Sequence, residues 1–367
     1  MRQKQPYSIT IIFKKINMYR FRLFVSSTLL YMIVFSSCEK ATVNNPETPD
    51  PELEEEMIEL KFSIKNLSDS EGNEDQEGYE EYNFLGYGYD VTGKYSHKAS
   101  VKSAVINTPT FVQENPRSFD ALRVLQSSFK TVCAADAEDF TKWLTGGTQD
   151  TRYFKGNITH PFPDTDLNSN QYIYGLYDSY IKYKRLTLYS RNTQLLPYLT
   201  TEFQADSRSL EPAELVKKYG THVLLSLFTG AKLSLDYQAE YNGDERRKAV
   251  ENSFRVGLND CFGLFSGFLD PVDSTTFKNI VKPVIAFEAI GGDPSKIFID
   301  ETSISEPKVN RTAWTESISE DNARFIYFDG LENMLPISEL IEDVKKKEEV
   351  KAYIEKYIKT SEVRINP

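Results

Sequence analysis

The feature that most constrains the fold is a long stretch, His222–Tyr237, whose second half alternates apolar and polar residues without a break. In an extended strand, successive side chains point to opposite faces. One face then carries Ala231, Leu233, Leu235 and Tyr237, and the other carries Lys232, Ser234, Asp236 and Gln238. Such a strand would reach roughly 50 Å, whereas most strands have about five or six residues. This pattern is typical of a barrel stave, which turns one face to lipid and the other to water.

The rest of the chain predicts an α+β fold. Alternation and aromatic or β-branched residues indicate strands at Ile58–Lys65, Asn83–Tyr95, Gln171–Tyr189 and Val284–Ile290. Apolar residues spaced by three and four predict an amphipathic helix from Phe119 to Val132. Further helices are predicted at Glu211–Tyr219, which ends at Gly220, and from Ser338 towards Ile358.

Residues 249–268 fit two different periods. Phe254, Val256 and Leu258 alternate as they would in a strand. The same stretch also has the three-and-four spacing of a helix, at Val250, Phe254, Leu258, Cys261 and Phe265. Strand and helix therefore both remain open for this segment.

The N-terminus has the pattern of a bacterial export signal. Residues 1–37 contain six basic and no acidic side chains, and a short basic segment after Met18 leads into the apolar stretch Leu23–Phe35. This stretch is shorter than the about 20 residues that a membrane-spanning helix needs, which argues against a retained anchor helix. Because Met18 alone opens a complete signal, residues 1–17 are dispensable to it.

The signal ends at a cysteine that is a candidate for lipidation. The quartet Phe35–Cys38 resembles the lipobox of bacterial lipoproteins, in which the cysteine thiol is acylated, although Phe35 departs from the usual first residue. An ordinary buried or free cysteine is the alternative. The following chain is acidic and contains several prolines, so residues 38–57 are predicted to form a flexible tether.

Charge and residue types exclude several classes of function. The net charge is −11 at pH 7 and, because residues 1–37 are basic, the remainder carries about −17. This argues against nucleic-acid binding, which needs a basic surface. His97, His160 and His222 have no cysteine or histidine partner at metal-ligand spacing. No metal, cofactor or catalytic site is therefore predicted, and the protein is not expected to be an enzyme.

Two cysteines, Cys133 and Cys261, remain in the mature chain. They form either two buried thiols or a single disulfide in an oxidising compartment.

The segment Tyr219-Gly220-Thr221-His222, at a helix-to-strand junction before the long strand, resembles the signature of the membrane-attack-complex/perforin (MACPF) superfamily. Gly291-Gly292 lies where this family places a paired-glycine bend in its central sheet, although an ordinary turn before Pro294 is the alternative. Four further segments resemble parts of the family in the right order: Gly86–Val91, Trp314 with Ser317, Phe328–Leu331 and Pro336–Ile341. One departure is Val223, where the family often has an aromatic residue.

The resemblance implies a MACPF domain at residues 58–343, followed by a C-terminal helix and tail at 344–367. It implies a central, bent and twisted antiparallel sheet flanked by two helical clusters, which refold into membrane hairpins in pore-forming members. These clusters would map to Ser96–Gly147 and Asp236–Lys282. The four residues Tyr219–His222 are expected to be structural, with His222 in a polar site rather than acting as a base, and Gly291-Gly292 is expected to be the hinge of the sheet.

The function that the resemblance implies is a pore-forming lipoprotein, similar to the antibacterial MACPF proteins of Gram-negative gut commensals. Its partners would be a target membrane, an unknown surface receptor (an outer-membrane protein or lipopolysaccharide) and further copies of itself in the pore. We expect an exported protein at the outer membrane or cell surface, or in released vesicles. Two alternatives stay open: a non-lytic adhesin or binding lipoprotein of the same family, and a surface hydrolase or glycan-binding lipoprotein.

Overall fold

Two sheets organise the chain in the computed structural model, which describes residues 59–68, 78–145, 152–300, 308–328 and 330–366. The strands are β1 (Ser63–Asn66), β2 (Tyr87–Tyr89), β3 (Val101–Ala104), β4 (Phe119–Ala134), β5 (Tyr172–Leu188), β6 (His222–Leu224), β7 (Ser226–Tyr241), β8 (Ile280–Ile290), β9 (Phe298–Ile299), β10 (Val309–Asn310), β11 (Arg324–Tyr327) and β12 (Met334–Pro336). The α-helices are α1 (Thr108–Glu114), α2 (Ala137–Leu144), α3 (Gly156–Thr159), α4 (Asn192–Leu195), α5 (Thr201–Ser209), α6 (Pro212–Tyr219), α7 (Arg246–Phe262), α8 (Thr312–Ser317) and α9 (Val344–Ser361).

The described elements belong to one compact unit that runs from Glu56 to Pro367. The predicted signal at 1–37, the lipidation site Cys38 and almost all of the tether at 38–57 precede it, and all three lie outside the described residues.

The larger, central sheet has the strand order β1-β8-β7-β5-β4, and β11 also pairs with β7. Its four long strands, β4, β5, β7 and β8, are antiparallel to their neighbours. Only the short strand β1 runs parallel, along Val284–Phe287 of β8. The strands predicted at Gln171–Tyr189 and Val284–Ile290 are confirmed as β5 and β8. The central antiparallel sheet of the expected α+β fold is confirmed as well.

The smaller sheet has the order β12-β6-β2-β3 and is joined directly to the central one. A single residue, Leu225, separates β6 from β7, so the chain passes from one sheet into the other. The predicted long strand at His222–Tyr237 is therefore confirmed apart from this break.

The central sheet is covered on both faces. On one face, the apolar side chains of β7 pack with those of α7 in one hydrophobic cluster. On the other face, a larger cluster joins parts of β4 and β5 to the smaller sheet, α2, α6 and α9. Because of this double cover, every residue of β7 except Glu240 is buried.

The helix predicted at Phe119–Val132 is wrong, because this segment is the edge strand β4. A β-bulge between Arg123 and Gln126 shifts the register with β5 by one residue. The apolar side chains of β4 lie on both faces of the strand, since Val124 packs against Tyr180 and Phe228 whereas Phe129 stacks on Tyr177 of the α7 side. Their spacing of three and four residues therefore does not mark one helix face. Leu122 and Phe129 are also about half exposed, at 52% and 48%, so their apolar character did not indicate a buried surface.

Other predictions are corrected in detail. The ambiguous segment 249–268 is helical in this structure as far as Phe262, within α7. The C-terminal helix begins at Val344 rather than Ser338, after a short 3-10 turn. The first strand begins at Ser63 rather than Ile58. Cys133 and Cys261 form no disulfide, so the single bridge that the sequence left open is absent between these two described residues. Among the described helices, none has the length and apolar character needed to cross a bilayer.

Candidate functional site

The sequence motif Tyr219–His222 forms the joint between α6 and the smaller sheet. Gly220 ends α6 with a φ angle of +73°, which favours glycine. A Cβ at this position would lie 2.6 Å from the backbone carbonyl of Tyr89 in β2. The Tyr219 side chain is fully buried, and its hydroxyl donates a hydrogen bond of 2.8 Å to Asp206 of α5. The close backbone approach therefore leaves no room for a side chain at Gly220.

Thr221 and His222 complete this joint. The Thr221 N–H donates to the Tyr89 carbonyl over 2.9 Å, and His222 pairs with Tyr89 and Pro336 as the first residue of β6. The His222 Nδ1 lies 2.9 Å from the Thr221 hydroxyl oxygen. Burial lowers the pKa of His222 to about 4, so its imidazole is neutral at physiological pH. Its contacts are those of a polar residue held inside a joint.

A row of irregular positions crosses the central sheet. Leu125 lies in the bulge of β4 and has a φ angle of +46°. Tyr183 of β5 faces this bulge, and the register between β5 and β7 shifts at the same residue, next to Gly230. Gly291 follows directly after β8, beside Gly230. Because bulges bend and twist a sheet, we call these four residues, Leu125, Tyr183, Gly230 and Gly291, the bend line.

Gly291 is the last residue of the bend line, and it and the next residue, Gly292, have little space around their Cα atoms. Their φ angles of +71° and +65° lie in the region that favours glycine. A Cβ at Gly291 would overlap with the carbonyl oxygen of Gly230. A Cβ at Gly292 would lie 3.0 Å from Trp314 Nε1 and 3.1 Å from Ser317 Oγ. The glycine pair thus lets both β7 and α8 approach the end of β8.

Helix α8 is fastened to this glycine pair. The buried Trp314 donates its indole N–H to the Gly291 carbonyl over 2.9 Å. The Asp293 N–H donates to Ser317 Oγ, also over 2.9 Å. We call these two hydrogen bonds the α8 contacts. They join two parts of the chain that the sequence separates by more than twenty residues, and they hold α8 against the bend line.

One face of the central sheet carries charges that are buried. Asp178 of β5, Ser234 of β7 and Glu288 of β8 are register partners in one row across three strands. Lys232 and Asp236 flank this row on β7, and Lys94 and His97 reach it from the loop after β2. We call the six charged or titratable members the buried ionic cluster: Lys94, His97, Asp178, Lys232, Asp236 and Glu288.

Glu288 is the centre of this cluster. Its carboxylate lies 2.7 Å from Lys94 Nζ and 2.6 Å from His97 Nε2. Because His97 Nδ1 accepts a hydrogen bond from the Ala99 N–H, its Nε2 carries the proton and donates to Glu288. Lys94 also lies 3.6 Å from Asp236. The loop that contains Lys94 and His97 is therefore tied to the sheet through ionic contacts shielded from water.

The environment of the cluster shifts its pKa values in opposite directions. Burial alone would raise the pKa of Glu288, but Lys94 and His97 hold it well below its usual value of 4.5. Burial raises the pKa of Asp236 to about 7, because Lys94 lies closer to Glu288 and only partly offsets the desolvation. Burial also lowers the pKa of His97. Asp236 Oδ1 and Asp178 Oδ1 have no hydrogen-bond partner within the described part of the chain. Burying these charges therefore costs free energy, and the stability of the cluster depends on its members staying paired with one another.

The opposite face of β7 carries the predicted stem residues Ala231, Leu233, Leu235 and Tyr237, all buried in the cluster with α7. The Tyr237 ring stacks on Phe254 with centroids 5.2 Å apart, and its hydroxyl lies 2.8 Å from Ser253 Oγ. In this structure the apolar face of the strand is therefore covered by helix α7.

Two long connections leave the same end of the central sheet. Residues 135–171 join β4 to β5, and residues 242–279 join β7 to β8. Tyr172 pairs with Glu240 and Tyr241 pairs with Ile280, so both connections start and end at neighbouring positions. We call these the first and second connections. The mapping of the first helical cluster to Ser96–Gly147 is therefore wrong in its boundaries, because β4 already fills much of that range. The second connection lies within the predicted Asp236–Lys282.

No set of His, Cys, Asp or Glu side chains within the described ranges has the arrangement of a metal site.

The sequence matches the family model of the MAC/Perforin (MACPF) domain over residues 78–365, which is most of the chain. The chain belongs to the MACPF family. The matched range begins before β2 and extends beyond α9. A comparison with curated protein sequences found no match.

Two solved structures share the MACPF fold of this chain. One is a protein with a MAC/Perforin domain from Bacteroides thetaiotaomicron, at 18% identity and a TM-score of 0.59. The match covers 75% of this chain and 60% of that protein. The other is GNIP1Aa from Chromobacterium piscinae, at 19% identity and a TM-score of 0.56, covered over 57% of its length by 77% of this chain. This chain thus spans somewhat more than half of each relative.

Within the MACPF fold, the structure brings the predicted hinge Gly291-Gly292 together with Trp314 and Ser317, whereas Tyr219–His222 lies in the other sheet. Sequence reasoning missed Gly230 and the buried ionic cluster. Gly230 interrupts an otherwise regular strand pattern, which is a signal for a bulge or a close backbone approach. Nothing in the sequence marked Glu288 or Lys94 as buried, because their partners lie far away along the chain.

Proposed function

We propose that this MACPF protein is a pore-forming lipoprotein that assembles on a target membrane and inserts β-strands through it. The observation that supports this most is the amphipathic character of the central sheet. One face of β7 is apolar against α7, and the other carries the buried ionic cluster. A membrane barrel needs strands with one apolar and one polar face. Here both faces are covered, so the covering elements must move before the strands could serve as staves.

The two connections offer the chain length that such a barrel requires. A hairpin of two membrane-crossing strands needs roughly 20 residues, and each connection is longer than that. Because both leave the same end of the sheet, strands formed from them would extend the existing strands in one direction. The bend line and the α8 contacts lie nearer the opposite end. Straightening of the sheet would then begin with release of α8 from Gly291.

Assembly of many copies is part of the proposal. Each backbone N–H and C=O in hydrocarbon must be paired, so a single hairpin is unstable there and a closed barrel is required. The outer edge of β4 has no partner strand among the described residues, and it exposes Leu122 and Leu125. At the opposite edge, β1 covers only Val284–Phe287 of β8. Pairing of β4 in one copy with β8 in the next would close a ring.

The N-terminal sequence supports the cellular setting of this proposal. An acylated Cys38 followed by an acidic tether would hold the protein at the outer membrane or cell surface, and the target would be a competing bacterium. Replacement of Cys38 with Ala is expected to move the protein from the membrane fraction to the soluble fraction. Unchanged membrane association, with no lipid mass on the N-terminal peptide of the unmodified sequence, would contradict the lipoprotein assignment.

Pore formation is tested with dye-loaded vesicles of phosphatidylethanolamine and phosphatidylglycerol, with and without lipopolysaccharide. We expect dye release that rises more steeply than in proportion to protein concentration, together with ring-shaped oligomers on the vesicles. Binding without release at any concentration would overturn pore formation and favour the non-lytic adhesin. The two vesicle types separate a requirement for lipopolysaccharide as receptor from a requirement for the bilayer alone.

A further inference from the structure

We propose that Arg246 and Arg247, the first two residues of α7, restrain the refolding of both connections and couple their release. Arg246 binds the strand ends at which the connections begin, and Arg247 attaches the second connection to the first. Both connections would then leave the sheet together and extend the four strands β4, β5, β7 and β8, which are neighbours in this order. This inference rests on the proposed pore formation and names side chains that control it.

The Arg246 guanidinium donates to three backbone carbonyls at one end of the central sheet. Its Nε binds the Ala135 carbonyl over 2.8 Å, its Nη1 binds Tyr241 over 3.0 Å and its Nη2 binds Tyr172 over 2.8 Å. Ala135 follows β4, Tyr172 begins β5 and Tyr241 ends β7. Because arginine holds its donors in a rigid planar fork, one side chain fixes three strand ends relative to one another. We call these three hydrogen bonds the Arg246 cap.

The Arg246 cap uses an acceptor that a longer ladder between β5 and β7 would need. Gln171 and Tyr241 would form the next pair of this ladder. The Tyr241 N–H already donates to the Gln171 carbonyl over 3.0 Å. In a hydrogen-bonded antiparallel pair, the two residues exchange both N–H to carbonyl bonds. In the structure, however, the Tyr241 carbonyl accepts from Arg246, and the Gln171 N–H donates to Ser169 Oγ over 3.1 Å.

The ladder between β4 and β5 stops at the same place. Continuation of its register by two residues would pair Asp136 with Tyr172. Asp136 is instead the N-cap of α2, and its carboxylate accepts from the Asp139 N–H over 2.8 Å. The Tyr172 carbonyl accepts from Arg246. Both ladders therefore end where Arg246 takes the position of the next backbone donor.

Arg247 joins the two connections to each other. Its Nη2 lies 2.7 Å and 2.6 Å from the two carboxylate oxygens of Asp139 in α2. The same carboxylate accepts from the Ala135 N–H and from the Trp143 indole N–H, so its position is fixed. The Arg247 guanidinium also lies over the Trp143 ring, 5.5 Å from the centroid. The start of α7 is thus attached to α2.

Apolar packing places the two connections in different clusters. Phe140 and Leu144 of α2 belong to the large cluster with the smaller sheet. Val250 and Phe254 of α7 belong to the cluster on the other face of the central sheet. Movement of one helix would therefore not by itself uncover the core of the other. The polar contacts of Arg246 and Arg247 cross from one connection to the other and can make their release concerted.

Opening of the Arg246 cap is a step that both hairpins need. Each carbonyl that Arg246 leaves would accept from the backbone N–H of a neighbouring strand, as pairing in hydrocarbon requires. Loss of one hydrogen bond to a charged group changes an equilibrium constant by about tenfold or more. We therefore expect removal of the guanidinium to accelerate refolding by at least this factor.

The inference is tested on the full chain with the variants Arg246→Ala, Arg246→Lys and Arg247→Ala. Lys248→Ala is the matched control, because the ion pairs of Lys248 lie within the second connection. Val250→Ala controls for simple loosening of α7, since Val250 is buried against the central sheet. Hydrogen exchange of backbone amides in α2 and α7 is followed by mass spectrometry without vesicles. Dye release is then measured with the vesicles described above, and circular dichroism checks that each variant is folded.

Arg246→Ala should exchange faster than the unmodified protein in both α2 and α7, and it should release dye about tenfold faster or more. Arg246→Lys should lie between the two, because all donors of lysine sit on one nitrogen and cannot span three carbonyls. Arg247→Ala should also exchange faster in both helices. Lys248→Ala should match the unmodified protein, and Val250→Ala should exchange faster in α7 alone.

Faster exchange in α7 alone for Arg246→Ala and Arg247→Ala would overturn the coupling of the two connections. Unchanged dye release by folded Arg246→Ala, while the unmodified protein releases dye, would overturn the inference but leave pore formation standing. If Arg246→Ala does not fold, unchanged release by Arg246→Lys would overturn the inference in the same way. Absence of release from every variant and from the unmodified protein would overturn both the inference and pore formation.

Discussion

Replacement of Glu288 by Gln tests whether the buried ionic cluster holds the loop after β2 on the central sheet. The substitution keeps the shape of the side chain but removes the charge that faces Lys94 at 2.7 Å. Lys94 is then left with Asp236, at the longer distance of 3.6 Å. Removing one partner of a buried ion pair typically costs about 3–5 kcal/mol. For a unit of about 310 residues with an unfolding entropy of about 2.1 cal/mol/K per residue, that corresponds to a fall in melting temperature of roughly 5–8 °C.

The matched control is Glu320→Gln. Glu320 also pairs with a lysine, Lys184, at 2.8 Å, but this pair is exposed to solvent. Its loss should therefore cost less than about 1 kcal/mol. Unfolding of both variants in urea, followed by circular dichroism, compares the two directly. The contribution of Glu288 should be present above pH 4.5 and be lost as the pH falls through its lowered folded pKa, well below 4.5.

The same variant also probes opening of the sheet. Because the cluster must break before the loop leaves the sheet, folded Glu288→Gln protein should release vesicle contents faster than the unmodified protein. A Glu288→Gln protein that is as stable as Glu320→Gln at pH 7 would show that the buried ionic cluster contributes no more to stability than a surface pair, contrary to this prediction.

Three further substitutions test the α6 joint and the buried titratable groups. Gly220→Ala should lower the free energy of unfolding by at least about 2 kcal/mol, because a side chain at a φ angle of +73° is strained and meets the Tyr89 carbonyl; urea unfolding that matches the unmodified protein would contradict this. His222→Ala should cost about 1–2 kcal/mol at pH 8 and progressively less towards pH 4.5. The reason is that the unfolded chain takes up a proton below about 6.5, whereas folded His222 does so only near its pKa of about 4; a stable but inactive variant would instead indicate a direct role in receptor binding. Asp236→Asn should raise stability relative to the unmodified protein more at pH 8 than at pH 5, since folded Asp236 ionises only near pH 7 and unfavourably; an equal change at both values would show that Asp236 does not titrate in this range.

The sequence predicted the parts of the fold that depend on local pattern. The alternation around Leu233 and Leu235 predicted the central strand. The end of α6 was predicted at Gly220 because glycine adopts the positive φ angles that often end a helix. The helix prediction at Phe119–Val132 was wrong because this edge strand carries apolar side chains on both faces, which are partly covered by different clusters. Which segments cover each face depends on pairing with β5 and on distant parts of the chain, and the pattern within one segment does not contain this information.

The site was predictable only where backbone chemistry is visible in the sequence. Gly291-Gly292 indicated a special backbone position, but the donation from Trp314 to Gly291 depends on how α8 folds back. The buried ionic cluster could not be predicted from the sequence for the same reason. Lys94 and Glu288 are nearly two hundred residues apart, and charged residues are exposed by default unless a partner in space buries them.

A reversible disulfide that holds α8 against the bend line tests whether the sheet must open there. The site of a Cβ at Gly292 lies 3.1 Å from Ser317 Oγ, close to the geometry that a disulfide requires. We therefore expect Gly292→Cys with Ser317→Cys to form a disulfide when oxidised, in a background without Cys133 and Cys261. The Gly292→Cys single variant controls for the strain of a side chain at Gly292, and the Ser317→Cys single variant controls for loss of the hydroxyl that accepts from the Asp293 N–H. We expect the oxidised double variant to bind vesicles but to release no dye, and we expect reduction to restore release to the level of the Gly292→Cys single variant. Equal release by the oxidised and reduced forms, with the disulfide verified by mass, would contradict opening of the sheet at this line.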